Sequence, residues 1–109
     1  MSFWKIKKIG DILGTIPELP VGHYEYFGEA DRYAVWAEDM EQSSVEGDNF
    51  KVNQAIQGTI DLFTKIDMDP TVDQIQEALK AEKISFYLNS VQYEDETGFI
   101  HFEWVWGYA

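Results

Sequence analysis

IQGTIDLFTK, residues 56–65, alternates apolar and polar side chains. Ile56, Ile60 and Leu62 share one face with Gly58, and Thr59, Asp61 and Phe63 share the other. A period of two is that of a half-buried strand. A strand with one apolar face needs a sheet around it and a layer on that face. The flanking sequence supplies both. DMDPTVDQIQEALKAEKI (67–84) reads as a helix, with Asp69 as cap, Pro70 at the first helical position and Asp73 near the positive end of the dipole. Val72, Ile75 and Leu79 form its apolar stripe, with Ala78 beside it, while Asp73, Gln74, Glu77 and Lys80 face outward.

SFYLNSVQY (85–93) and FIHFEWVWGY (99–108) flank EDETG (94–98), which predicts a hairpin closed at Gly98. Upstream, HYEYF (23–27) and RYAVWAE (32–38) read as two strands joined through GEAD. Residues 2–14 carry Phe3, Ile6, Ile9 and Leu13 at helical spacing, continued by Ile16, with Ser2 as a cap, and Pro17 and Pro20 end that segment. A core-facing helix is the expected reading, a basic membrane-surface helix the alternative. Acidic residues 38–50 read as a mobile loop, and the strand after it is expected over 52–64.

The predicted order is α-β-β-β-α-β-β, a single α+β domain over 1–109. It would be an antiparallel sheet of four to five strands with two helices packed on one face. Ile60, Leu62, Phe102, Trp104 and Trp106 would face the helices. The second face would then carry Phe63, Tyr87, Val91, Tyr93, Phe99 and Val105 around Asp61, Asn89, His101 and Glu103. Such a patch marks an interface, and Asp61, Phe63, Tyr87, Val91, Tyr93, Phe99 and Val105 are the candidate contact residues. Asp61 would pair across that interface with a base such as Arg32 or Lys65, or else face water. The alternative is a bulge that shifts the alternation and turns some of these residues to the other side.

The chain holds 109 residues, 20 acids and 8 bases, for a net charge of −12. Lys5, Lys7 and Lys8 lie in the first ten residues, which leaves the remainder more acidic still. That charge repels nucleic acid, so direct binding of it is not expected. With no cysteine there is no thiol nucleophile, disulfide or cysteine-zinc site. Neither a signal-peptide pattern nor a membrane-length apolar run is evident, and an intracellular protein is expected. His23 lies two residues from Glu25, and His101 two from Glu103. These read as surface pairs, because metal sites and triads need further members. The clusters DMD (67–69) and EDE (94–96) lack the spread of a calcium loop. No catalytic residue, cofactor or metal is expected.

QGTIDLFTK (57–65), the helix from Pro70, YEDETGFIHFEWVW (93–106) and YAVW (33–36) together resemble the small tail-terminator and tail-completion proteins of long-tailed phages and prophages. The resemblance implies a structural, non-enzymatic virion protein. Its subunits would form a ring, commonly a hexamer, that caps the tail tube and joins it to the head. It would meet tail-tube and head-completion or connector proteins, assemble in the bacterial cytoplasm, and order its 38–50 loop on assembly. A small acidic binding module, such as a DNA-mimic inhibitor, is the alternative function. A small hydrolase or sugar-binding domain using Tyr87 or Tyr93 is a third.

Overall fold

The structure is a computed structural model that describes residues 2–39 and 55–109. Most of the expected loop 38–50, and the first part of the strand expected over 52–64, lie outside the described residues. A single 3-10 turn, Phe3–Ile6, runs into α1, Lys7–Gly14. The Ser2 side chain accepts from the Trp4 N–H at 3.0 Å, the cap foreseen from the sequence. The strands are β1 Val21–His23, β2 Arg32–Glu38, β3 Ile56–Thr64, β4 Ser85–Glu94 and β5 Phe99–Tyr108, and α2 spans Thr71–Ala81. They form one five-stranded sheet in the order β1-β2-β3-β5-β4.

Both helices pack on one face, as expected. Ile6, Ile9 and Leu13 of the N-terminal segment and Ile75 and Leu79 of α2 join Ile60, Leu62, Trp104 and Trp106 in one buried cluster. Val72, Ala78 and Phe102 pack partly buried at its border. Truncating a buried tryptophan costs about 3–5 kcal/mol, so the two indoles of β5 weigh heavily in so small a core. Each indole N–H also has an acceptor. Trp104 Nε1 donates to Gln76 Oε1 and Trp106 Nε1 to the Thr59 carbonyl, both at 3.0 Å. Neither ring therefore hides an unsatisfied donor.

Three of the four strand pairings are antiparallel, but β1 pairs with β2 in parallel. The expected strand 23–27 is replaced by Val21–His23, and the chain turns away at Tyr24, whose φ is +73°. A side chain on Gly22 would sit 2.1 Å from the Glu25 carbonyl oxygen, so residues 25–26 fold back against β1 where only glycine leaves room. Residues 24–31 then return the chain to the start of β2. The alternation in HYEYF arises from this fold-back, with Tyr26 stacked on Tyr33 at 4.4 Å.

Gly10, in the middle of α1, has a packing reason. A Cβ there would lie 2.9 Å from the Trp36 indole nitrogen, and Trp36 is buried and stacked on His23. Helix propensity alone makes Gly10→Ala stabilising by about 1 kcal/mol. The contact reverses the sign, because overpacking costs about 1–3 kcal/mol. Urea unfolding of Gly10→Ala is expected to show a lower midpoint than the parent chain; a higher one would mean that α1 does not rest on Trp36.

Candidate interaction surface

Directly opposed residues in neighbouring strands point to the same side of a sheet, so register fixes what the uncovered face carries. One row across it is Tyr33, Phe63, His101 and Gln92, contributed by β2, β3, β5 and β4. Its three rings stack nearly parallel, Tyr33 on Phe63 at 4.9 Å and Phe63 on His101 at 4.2 Å, and Tyr26 extends the stack past Tyr33. Phe99 meets Tyr33 and Phe63 edge-on, and Lys65 Nζ lies 4.9 Å from the Phe99 ring centre. Phe63 and Phe99 are consequently half-buried within the chain itself, and Val105, opposed by Thr59 and Tyr87, is half-buried too. Of the large apolar residues that the sequence assigns to this face and that do lie on it, Tyr87 alone is strongly exposed, at 58%.

Asp61 is also satisfied internally. Its Oδ1 lies 2.7 Å from His101 Nε2. The expected partners are engaged elsewhere, Arg32 with Asp69 and Lys65 with Asp31. Burial pushes Asp61 above the usual carboxylate range and nearby Glu103 adds to this, with the His101 contact opposing both. The expected His101–Glu103 pair is not formed, since Glu103 accepts from Asn89 Nδ2 at 3.0 Å. His23 meets Glu38 at 2.8 Å rather than Glu25, and Glu38 also accepts from the Tyr24 hydroxyl. Burial alone would raise Glu38, but its Tyr24 and His23 contacts bring it below the ordinary value.

Val91 and Tyr93 do not lie on this face. The β4–β5 register shifts between Leu88 and Ser90, which leaves Asn89 as an extra residue. Before the bulge, Tyr87 opposes Val105 and Leu88 opposes Trp104; after it, Val91 opposes Phe102 and Tyr93 opposes Ile100. One inserted residue inverts every side chain beyond it. Val91 and Tyr93 therefore stand on the helix side, 51% and 67% exposed. The spacing of Phe86, Leu88, Val91 and Tyr93 carried that signal, because a period of two skips one step at the polar pair Asn89-Ser90.

A second exposed apolar group went unread in the sequence. Register places the connections 24–31 and 65–70 and the turn 95–98 at one end of the sheet, since Thr64 opposes both Arg32 and Ile100. Phe27, Ile66 and Met68 are exposed there. Asp69 fastens this end from within. It is buried, accepts from the Thr64 hydroxyl at 2.6 Å and the Thr71 N–H at 2.9 Å, and lies 3.3 Å from an Arg32 nitrogen. Burial would raise its pKa, but the Thr64 and Thr71 bonds and the Arg32 charge hold it below the usual range.

The surface offers little purchase for the stacking of sugars. The faces of Tyr33 and Phe63 are taken up by neighbouring rings, and Tyr87 and Tyr93 project to opposite sides of the sheet. Among the described residues, no three His, Asp or Glu side chains gather closely enough to hold a metal ion, and no helix is long and apolar enough to cross a membrane. No protein-family model matches the sequence, and no curated protein does.

Because Asp69 titrates lower in the fold than in the unfolded chain, its contribution is present above the ordinary carboxylate range and is lost as pH falls through its folded value. Asp69→Asn is expected to lower stability at pH 7 and to flatten the acid limb of the stability–pH curve. Urea midpoints at neutral and acid pH measure both effects; an unchanged acid limb would remove Asp69 as its source.

Proposed function

We propose that this chain is a structural subunit of a phage or prophage tail, one copy of a ring that caps the tail tube and joins it to the head. The observation that carries this reading is the distribution of exposed apolar side chains. They occupy separate places: β4 with Tyr87, Leu88, Val91 and Tyr93, the loop end with Phe27, Ile66 and Met68, and Trp4 near the N-terminus. A module with one partner needs one such patch. A ring subunit needs a contact on either side and another for the tube or the head, and patches of this kind mark interaction sites.

The net charge of −12 suits a ring through which DNA passes without adhering. The role is burial and positioning, so it calls on no cofactor and no catalytic group. The DNA-mimic alternative needs carboxylates presented free at phosphate-like spacing. Four of the twenty acids, Asp61, Asp69, Glu38 and Asp31, are each held against a histidine, arginine or lysine of the same chain, which takes them out of any such array.

Deleting the gene from its phage or prophage and imaging induced lysates by electron microscopy tests the proposal. Separate heads and tails, or tails of irregular length, are expected. Intact, infectious particles would overturn it.

A further inference from the structure

We propose that the free edge of β4 is a pairing site for a second copy of this chain, in a two-fold antiparallel arrangement centred between Asn89 and Ser90. Among the described residues, β4 borders the sheet with β5 as its strand neighbour and is ten residues long. Such an edge is a template for another strand. The opposite edge, β1, has three residues and is backed by the fold-back at Glu25, so it is a poor mate for β4. The strand best matched to β4 is another β4.

The bulge makes that match work. In the two-fold register that uses all ten residues, Phe86 opposes Tyr93 of the second copy, Leu88 opposes Val91, and Tyr87 opposes Gln92. Opposed residues must share a face. In a regular strand these pairs would point to opposite sides, and the register would fail. The extra residue Asn89 inverts the second half of β4, so Phe86, Leu88, Val91 and Tyr93 all stand on the helix side. A bulge on an edge strand ordinarily blunts it; this one turns two mismatched halves into a self-complementary apolar strip.

Charge points to the same occupant. Two copies at −12 each repel, yet Glu94 is the sole charged residue from Ser85 to Glu94, so β4 itself adds little repulsion where two copies meet. The same register brings Lys83, just ahead of β4, toward Glu94 and Glu96 of the second copy, an opposite-charge contact at each end. The pair is isologous and closes on itself. It draws on the β4 patch, one of the contact surfaces of the proposed ring subunit, but it rests on the β4 edge alone and does not depend on the tail assignment.

The chain lacks cysteine, which permits a direct test on the full-length protein. Leu88→Cys and Val91→Cys are purified separately, mixed in equal amounts and oxidised mildly, and the products are weighed by mass spectrometry. The mixed Leu88→Cys/Val91→Cys disulfide is expected to exceed both self-disulfides. Native mass spectrometry of the parent chain over a concentration series should show a dimer, and Val91→Lys should lose it while keeping its circular dichroism, since Val91 is half exposed. A predominance of self-disulfides, a dimer that survives Val91→Lys, or a parent chain that stays monomeric would each overturn the proposal. A larger ring without the mixed disulfide would overturn it too, while leaving the tail assignment standing.

Discussion

Two short helices can cover only one face of a five-stranded sheet. The covered face takes the large buried side chains, with Trp104 and Trp106 of β5 at the centre and Ile60 and Leu62 of β3 beside them. Everything else in the molecule answers to the face left over. Its residues shelter one another: four rings stand face to face across the strands, and Asp61 finds its counter-group in His101. A sheet surface arranged in this way is neither a dry core nor an open binding platform. It leaves ring edges to solvent and keeps ring faces for the protein's own use.

The exposed apolar area is therefore displaced from the middle of that face to the margins of the sheet. On one margin the displacement depends on a single residue. Were Asn89 paired as an ordinary strand residue instead of bulging, Val91 and Tyr93 would join the ring row's side, and the helix side of β4 would end in Ser90 and Gln92. With the bulge, an apolar strip runs the length of the edge on the helix side. At the loop end, Asp69 holds α2 and β3 to Arg32 from beneath, so the connections bearing Phe27, Ile66 and Met68 spring from a fixed base. Rigid support under exposed apolar groups limits the entropy lost on docking.

Local pattern carried most of the fold. Period two in β3 and β5, the stripe of α2 and the turn at Gly98 each depend on neighbours in sequence, and each is found where the sequence placed it; α2 itself starts at Thr71, one residue after the expected Pro70, with the Asp69 side chain accepting from the Thr71 N–H. What was illegible depends on neighbours in space. The parallel pairing of β1 follows from the room beside Gly22, which no local pattern reports. Gly10 reads as a weak point in a helix until Trp36 is seen against it. Asp61 reads as an interface charge because its histidine lies forty positions away. The bulge was readable in part: the skipped step at Asn89-Ser90 is present in the sequence, but alternation counted straight through it put Val91 and Tyr93 on the wrong side. Phe27 reads as the end of a strand and Met68 as part of a helix start, whereas both lie in connections between elements.

The central claim is that this chain keeps apolar surface for copies of itself, foremost along β4. Amide hydrogen exchange of the full-length protein, followed residue by residue at low and high concentration, tests it most directly. The account predicts that the outward amides of β4 become more protected as concentration rises, while those of β1 do not change. Exchange along β4 that is fast and independent of concentration would contradict it.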